Sequence, residues 1–293
     1  MYLRSIELNL PDAAKAADFM SGAWGALDAG TLERAHYIRG TAHLPYLVAL
    51  REAANASVAS VTFGADSRTM DAIAARAAAA NIGCREVASS DPGGGRGILV
   101  TFPDGEQFRF LTGCADAPAA LGSNAPVKLT HVVLNARDAE HSAKLAEDVL
   151  GFTVSDRTRG MVFVRCNSSH HSIAFARAGY TSLNHIAFEM DDLDAVMRGI
   201  GRMRDAGFTP AWGPGRHGPG ANVFAYFIAP FGAVVEFSTA VEQVGPDYPV
   251  GTPDDWMWPP NRIDHWGMSD KQVTVLQAAE MQFRFAPTPG TIV

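Results

Sequence analysis

The chain has 293 residues, 47% of them apolar and 19% charged, with a net charge of −7. That is enough apolar material for one large domain or two ordinary ones, and it excludes global disorder. An acidic balance with no Lys/Arg run excludes the basic patch expected of a nucleic-acid partner or an anionic membrane surface, and no apolar stretch approaches the roughly 18 residues of a spanning helix. Three scattered cysteines, Cys84, Cys114 and Cys166, point to a reducing cytoplasm and no disulfide framework. The opening residues run straight into a strand-like pattern, so no signal peptide is expected.

Taken in chain order, residues 5–10 alternate as a short strand, and Asp12 is placed to cap a helix behind them. Residues 61–63 begin a second strand followed by a helical stretch, and residues 105–110 read as another strand. The small-residue stretch 115–124, with Pro118 and Gly122, has no periodicity and reads as a joint. The pattern then restarts. Strand 131–136 leads to a helix capped by Asp138, strands follow at 161–165 and 172–176, and residues 183–188 restart the unit. A helix over 193–206 and strands 223–228 and 234–237 complete it.

The second half repeats the first. Residues 129–139 match 3–13, 126 positions apart; 186–188 match 61–63 at 125; and 232–237 match 105–110 at 127. The expected architecture is α+β: two tandem domains, residues 1–118 and 126–240, each of paired βαβββ modules in open barrel-like sheets, followed by an extension, 241–293, packed on the second domain. Paired modules of this kind wrap their sheets around a shared cavity, where small-molecule sites sit.

The halves differ where chemistry belongs. His131 stands opposite Ser5, His185 opposite Ser60 and Glu236 opposite Arg109. Each lies on a short apolar strand, where a His or Glu is costly unless partnered. Any one of them alone reads as a satisfied core residue. Together, on equivalent strands of a duplicated unit, two imidazoles and one carboxylate make the set that holds non-haem Fe(II) with positions left open. A single carboxylate argues against a four-ligand site of the glyoxalase kind. His170 and His171 precede a strand, His217 lies in a Gly/Pro-rich loop, and Tyr226 sits ten residues before Glu236. A turn at 230–232 intervenes, so alternation does not say whether Tyr226 and Glu236 share a face.

The run Gly215-Arg216-His217, followed after seven residues by Ala225-Tyr226-Phe227-Ile228-Ala229-Pro230-Phe231-Gly232-Ala233-Val234-Val235-Glu236, resembles the signature of the type I extradiol ring-cleavage dioxygenases of the vicinal oxygen chelate superfamily. The segments 166–175 and 183–188 resemble that family as well. The resemblance implies Fe(II) held by His131, His185 and Glu236, with His171 as active-site acid/base and His217 and Tyr226 hydrogen-bonding the substrate oxygens. It implies a catechol and dioxygen as small-molecule partners, and a first half that keeps the fold without the metal. Ala225 stands where the signature carries a larger residue and is expected to widen the pocket.

Apolar walls are expected from Val133, Phe163, Ala174 and Trp212. Relatives that cleave carboxylate-bearing catechols place an Arg where this chain has Trp212, so a neutral alkyl- or aryl-catechol is expected. Should the substrate carry a carboxylate, Arg262 is the cation expected to read it. The aromatic stretch 256–267 is placed either to close the pocket or to pack against the barrel mouth or another subunit, and a homo-oligomer is expected. Two other readings remain: a hydroquinone-cleaving dioxygenase or isomerase of the same superfamily, and a non-catalytic protein that binds an aromatic ligand.

Overall fold

Four times along the chain an Asp carboxylate accepts the backbone N–H three residues on, and each time a helix starts there. Asp12 accepts from Lys15 (3.0 Å), Asp66 from Thr69 (2.7 Å), Asp138 from His141 (3.0 Å) and Asp192 from Ala195 (2.7 Å). Each cap satisfies an N–H that the first turn leaves without an intrahelical partner. Before each helix runs one strand and after it three, in a computed structural model that describes residues 1–121, 124–259 and 262–286.

The first module is β1 (Tyr2–Leu10), α1 (Ala13–Ser21), β2 (Leu27–Leu32), β3 (Ala35–Arg39) and β4 (Val48–Glu52). The second is β5 (Ser57–Gly64), α2 (Ser67–Ala79), β6 (Gly83–Ala88), β7 (Arg96–Thr101) and β8 (Gln107–Thr112). The third is β9 (Leu129–Ala136), α3 (Ala139–Leu145) with a π-helical turn over Ala146–Leu150, β10 (Thr153–Arg157), β11 (Met161–Arg165) and β12 (Ile173–Arg177). The fourth is β13 (Ser182–Glu189), α4 (Leu193–Asp205), β14 (Trp212–Arg216), β15 (Val223–Ile228) and β16 (Val234–Thr239). The extension adds α5 (Val273–Glu280) and the short β17 (Arg284–Phe285). Gly122 at the joint, and Pro260 and Asn261 in the aromatic stretch, lie outside the described residues.

The modules pair into two sheets of the same plan. One runs β2-β3-β4-β1-β5-β8-β7-β6, the other β10-β11-β12-β9-β13-β16-β15-β14. In each, the first strands of two modules lie antiparallel at the centre and each is flanked by a parallel strand. Even the register repeats. Ser5 opposes Thr62, which opposes Arg109; in the second sheet His131 opposes Ala187, which opposes Glu236. The duplication read in the sequence is therefore a duplication of backbone geometry.

The main core continues through both sheets. Trp24, after α1, stacks on Phe237 of β16 with centroids 3.7 Å apart, and meets Phe188 of β13 edge-on. Arg202 of α4 donates to the carbonyls of Ala23 (3.1 Å) and Trp24 (2.6 Å), which ties the end of α1 behind the second sheet. Phe237 and Phe188 face this core, so the residues beside them, Glu236 and Ala187, face the other way.

The extension meets both sheets. It does pack α5 against β13 and β16, but β17 runs parallel to β5 of the first sheet, Arg284 beside Ser57 and Phe285 beside Val58. The reason is an open edge: β8 covers β5 only from Val61 to Gly64 and leaves Ser57 and Val58 to be paired. Among the described residues no helix is long and apolar enough to cross a membrane.

Candidate metal centre

His131, Ala187 and Glu236 form one row across three neighbouring strands, and His185 stands two residues along β13 from Ala187 on the same face. The small Ala187 side chain at the middle of the row leaves room in front of it. Into that room point His131 Nε2 and His185 Nε2, 3.2 and 3.1 Å from Glu236 Oε2 and 3.3 Å from each other. The three residues are buried, and among the described residues they are the one His/Cys/Asp/Glu group with metal-holding spacing, their donor atoms all within 4.8 Å of one another.

The surrounding polar groups set the donors. His185 Nδ1 lies 2.7 Å from Asn184 Oδ1, which can only accept, so Nδ1 carries the proton and Nε2 presents a lone pair. Asn184 is held in turn by donating to Asn135 (2.9 Å). Asn222 donates to Glu236 Oε1 (3.2 Å) and Ser238 (2.9 Å), which occupies one carboxylate oxygen and leaves Oε2 facing the imidazoles. Burial alone would raise the Glu236 carboxyl, but His131 and His185 overcome it and hold it well below the usual carboxylate range. Burial pushes His185 down, toward the neutral form that can ligate. Converging N, N and O donors, a charged carboxylate and oriented imidazoles fit a divalent first-row metal with open positions.

Beyond the three donors, His171 lies against His131 (centroids 4.2 Å) and Phe163 (5.2 Å). Its Nδ1 is 3.0 Å from His170 Nδ1, and His170 Nε2 is 2.7 Å from Asp156 Oδ2, where both partners are wholly buried. With His170 uncharged, one assignment fits the chain of bonds. Asp156 accepts from His170 Nε2–H, His170 Nδ1 accepts from His171 Nδ1–H, and His171 Nε2 is left as the lone pair. Burial, then the charges of the neighbouring histidines, hold His171 well below its usual range, so it is neutral near pH 7. His217 Nε2 and Tyr226 Oη are 2.9 Å apart, and burial takes His217 down to about 3. Tyr226 lies directly across β15/β16 from Glu236, which answers what alternation left open: the two share a face.

Part of this set borders one cavity of about 410 Å³, with Glu236, His170 and Asp156 buried behind its wall. His131, His171, His185, His217, Tyr226, Val133, Phe163 and Trp212 line it, together with Asn184, Lys271 and Glu280. Ala174 does not. It pairs with Val133 on one side and Phe163 on the other, and its single methyl is covered by them, so Met161 and Ala176 complete that wall. Ala225 faces the core on the opposite side of β15 from Tyr226 and does not widen the pocket. Trp258 and Ile263 of the aromatic stretch line the cavity, and a Cβ at Gly218 would strike the Trp258 ring, so that stretch closes over the 217–220 loop.

Sequence reasoning missed Asn184, Asn222, Asp156 and Lys271. Asn184 alone had a signal, its place beside His185. In the first sheet the equivalent row carries a different network. Around the equivalent row, Asp91 accepts from Tyr37 (2.8 Å), Tyr46 (3.1 Å) and Arg109 (3.0 Å) and pairs with Arg51, which also pairs with Glu7. Burial opposes ionisation of Asp91, but Arg109 and Arg51 bring it to about 2. Its pKa is depressed on folding, so its contribution is complete above pH ~4 and is lost as pH falls toward 2. Asp91→Ala is expected to cost about 3 kcal/mol, because it leaves Arg109 without its carboxylate and Arg51 with Glu7 alone. Denaturant unfolding checks this, with metal content unchanged.

The family model described as Glyoxalase/Bleomycin resistance protein/Dioxygenase superfamily matches residues 128–237, the segment that carries all three donors. A Mn(II)-bound glyoxalase from Novosphingobium aromaticivorans is 32% identical over 99% of this chain and 96% of its own, with a TM-score of 0.85. The chain belongs to the Glyoxalase/Bleomycin resistance protein/Dioxygenase superfamily. Two curated members match part of it. Metapyrocatechase 2 of Cupriavidus necator is 31% identical over 131 residues, 43% of this chain and 41% of the relative. The 2,2',3-trihydroxybiphenyl dioxygenase of Sphingomonas paucimobilis is 26% identical over 156 residues, 50% of this chain and 51% of the relative. The match thus spans about half the length of these superfamily members or less.

Proposed function

We propose that this superfamily member is an extradiol dioxygenase: it opens a catechol ring beside the diol with dioxygen at an Fe(II) site, giving a hydroxymuconic-semialdehyde-type product. Residues 126–240 carry the site, and residues 1–118 are the copy without one. The observation that carries the reading is the convergence of His131, His185 and Glu236 on one point of a cavity that also holds His171, His217 and Tyr226. The relatives named metapyrocatechase and dioxygenase support it.

Fe(II) in this triad would supply adjacent open positions at which both catechol oxygens and dioxygen bind and electrons pass between them. The chain does the rest. Val133 and Phe163 hold the aromatic ring, and Trp212 closes the far wall. His217 Nε2–H, donating to Tyr226 Oη, leaves the Tyr226 hydroxyl to donate to a phenolic oxygen and favour loss of its proton. His171, neutral and with Nε2 unprotonated, would take the proton that leaves the phenolic oxygen and return it to an oxygen of the opened product. Asp156 and His170 keep it in that tautomer. The apolar walls and Trp258 exclude water while this happens.

A second reading has one observation in its favour, the Mn(II)-bound glyoxalase of similar length. Against it, the metal-holding group has a single carboxylate, and a binding module would need neither His171 nor Tyr226. The test is a panel of catechols given to anaerobically Fe(II)-loaded protein and then exposed to air. A yellow ring-fission product is expected. Turnover only of a hydroquinone, or of a glutathione thiohemiacetal with Mn(II), would replace the assignment.

A further inference from the structure

Among the described residues lining the cavity, Lys271 is the only Lys or Arg. Its Nζ lies 4.6 Å from the centre of the Trp212 ring, and it makes no ion pair with any described carboxylate. Arg262, the cation suggested by sequence, is exposed and does not line the cavity. The segment bearing Lys271 is fastened beside Trp212. Ser269 Oγ accepts from Gly213 N (2.8 Å), and Gln272 donates to Ala211 O (2.9 Å, from its backbone) and Pro210 O (3.2 Å, from its side chain). The backbone on either side of Lys271 is therefore held against the Trp212 strand.

The indole N–H of Trp212 is buried with no acceptor. Lys271 has Glu280 as an electrostatic neighbour but no carboxylate in ion-pair contact, and burial opposes its charge. Beside it the Trp212 donor lacks an acceptor, so a ligand oxygen would satisfy both. The amides of Asn184 and Gln277 share that cavity. Glu280 also lines it; burial pushes its carboxyl up, while Lys271 and Asn184 pull it down.

We propose that this wall is an anion subsite: the substrate is a catechol whose ring substituent bears a carboxylate, paired by Lys271 with the substituent lying on Trp212. This rests on the ring-cleavage reading and reverses the sequence expectation of a neutral substrate. It makes Lys271 a specificity-determining residue from a segment that has no counterpart in the duplicated halves.

The experiment is anaerobic calorimetry on the Fe(II)-loaded protein with two probe pairs, 3,4-dihydroxyphenylpropanoate and 2,3-dihydroxyphenylpropanoate, each beside its primary amide. In at least one pair the carboxylate is expected to bind about 10- to 100-fold tighter than the amide, the usual worth of a hydrogen-bonded charge. Lys271→Met should bring that ratio to near unity, Lys271→Arg should keep it, and Lys271→Glu should invert it. Equal binding within both pairs by the unaltered protein, or a ratio unmoved by Lys271→Met, overturns the subsite. So does equal weakening of acid and amide, which would mean that Lys271 serves the catechol oxygens instead. Ring cleavage is scored separately in air: product without the binding ratio sinks the subsite alone, and the ratio without product sinks the ring-cleavage reading alone.

Discussion

Replacing any one of His131, His185 and Glu236 by Ala is expected to empty the metal site and reduce ring cleavage to background, while unfolding remains cooperative. Two donors cannot hold the ion against water and buffer as three do, because the ligands act as one chelate. The fold should survive, since β9, β13 and β16 are held by their ladders and by the core behind them, which includes Phe188 and Phe237. Glu236→Ala also removes a wholly buried carboxylate, so stability without metal should not fall with metal affinity. Elemental analysis of the purified variants checks this, and near-full occupancy in any of them would end the ligand assignment. Ser5→His should bind nothing, because Ser60 and Arg109 still occupy the other two equivalent positions.

His171→Phe is expected to keep metal and catechol binding and to lower kcat by roughly 10²–10⁴-fold, the usual range for a general acid–base group. Phe is close to His in shape, and the site already packs His171 against Phe163, so the ring can be replaced without opening a void. The loss should appear in kcat rather than in the binding constant, because the proposed proton transfer comes after substrate is bound. An unchanged kcat would move the role to His170, whose Nδ1 touches His171.

The sequence made the triad legible because duplication gave each position a control. His131, His185 and Glu236 stand out only against Ser5, Ser60 and Arg109, and the shared register explains why that comparison works. The caps Asp12 and Asp138 were legible for a local reason, since each acts within three residues; Asp66 and Asp192 cap in the same way but were not singled out. What escaped was non-local. Asp156 reaches His170 from another strand, Asn222 reaches Glu236 across β15 and β16, and Lys271 belongs to the extension, where no second copy exists for comparison. Ala174 and Ala225 show the limit of motif reading: a position beside a site residue reaches the cavity only if its face and its length both allow it.

The most direct measurement of the central claim is the fate of isotopically heavy dioxygen. The Fe(II)-loaded protein is mixed anaerobically with a carboxylate-bearing catechol, heavy dioxygen is admitted, and the product is analysed by mass spectrometry. The account predicts an opened ring carrying both heavy oxygen atoms, formed by the unaltered protein and not by Glu236→Ala. An unlabelled product, or an intact ring after dioxygen has been admitted to metal-replete protein, would contradict it.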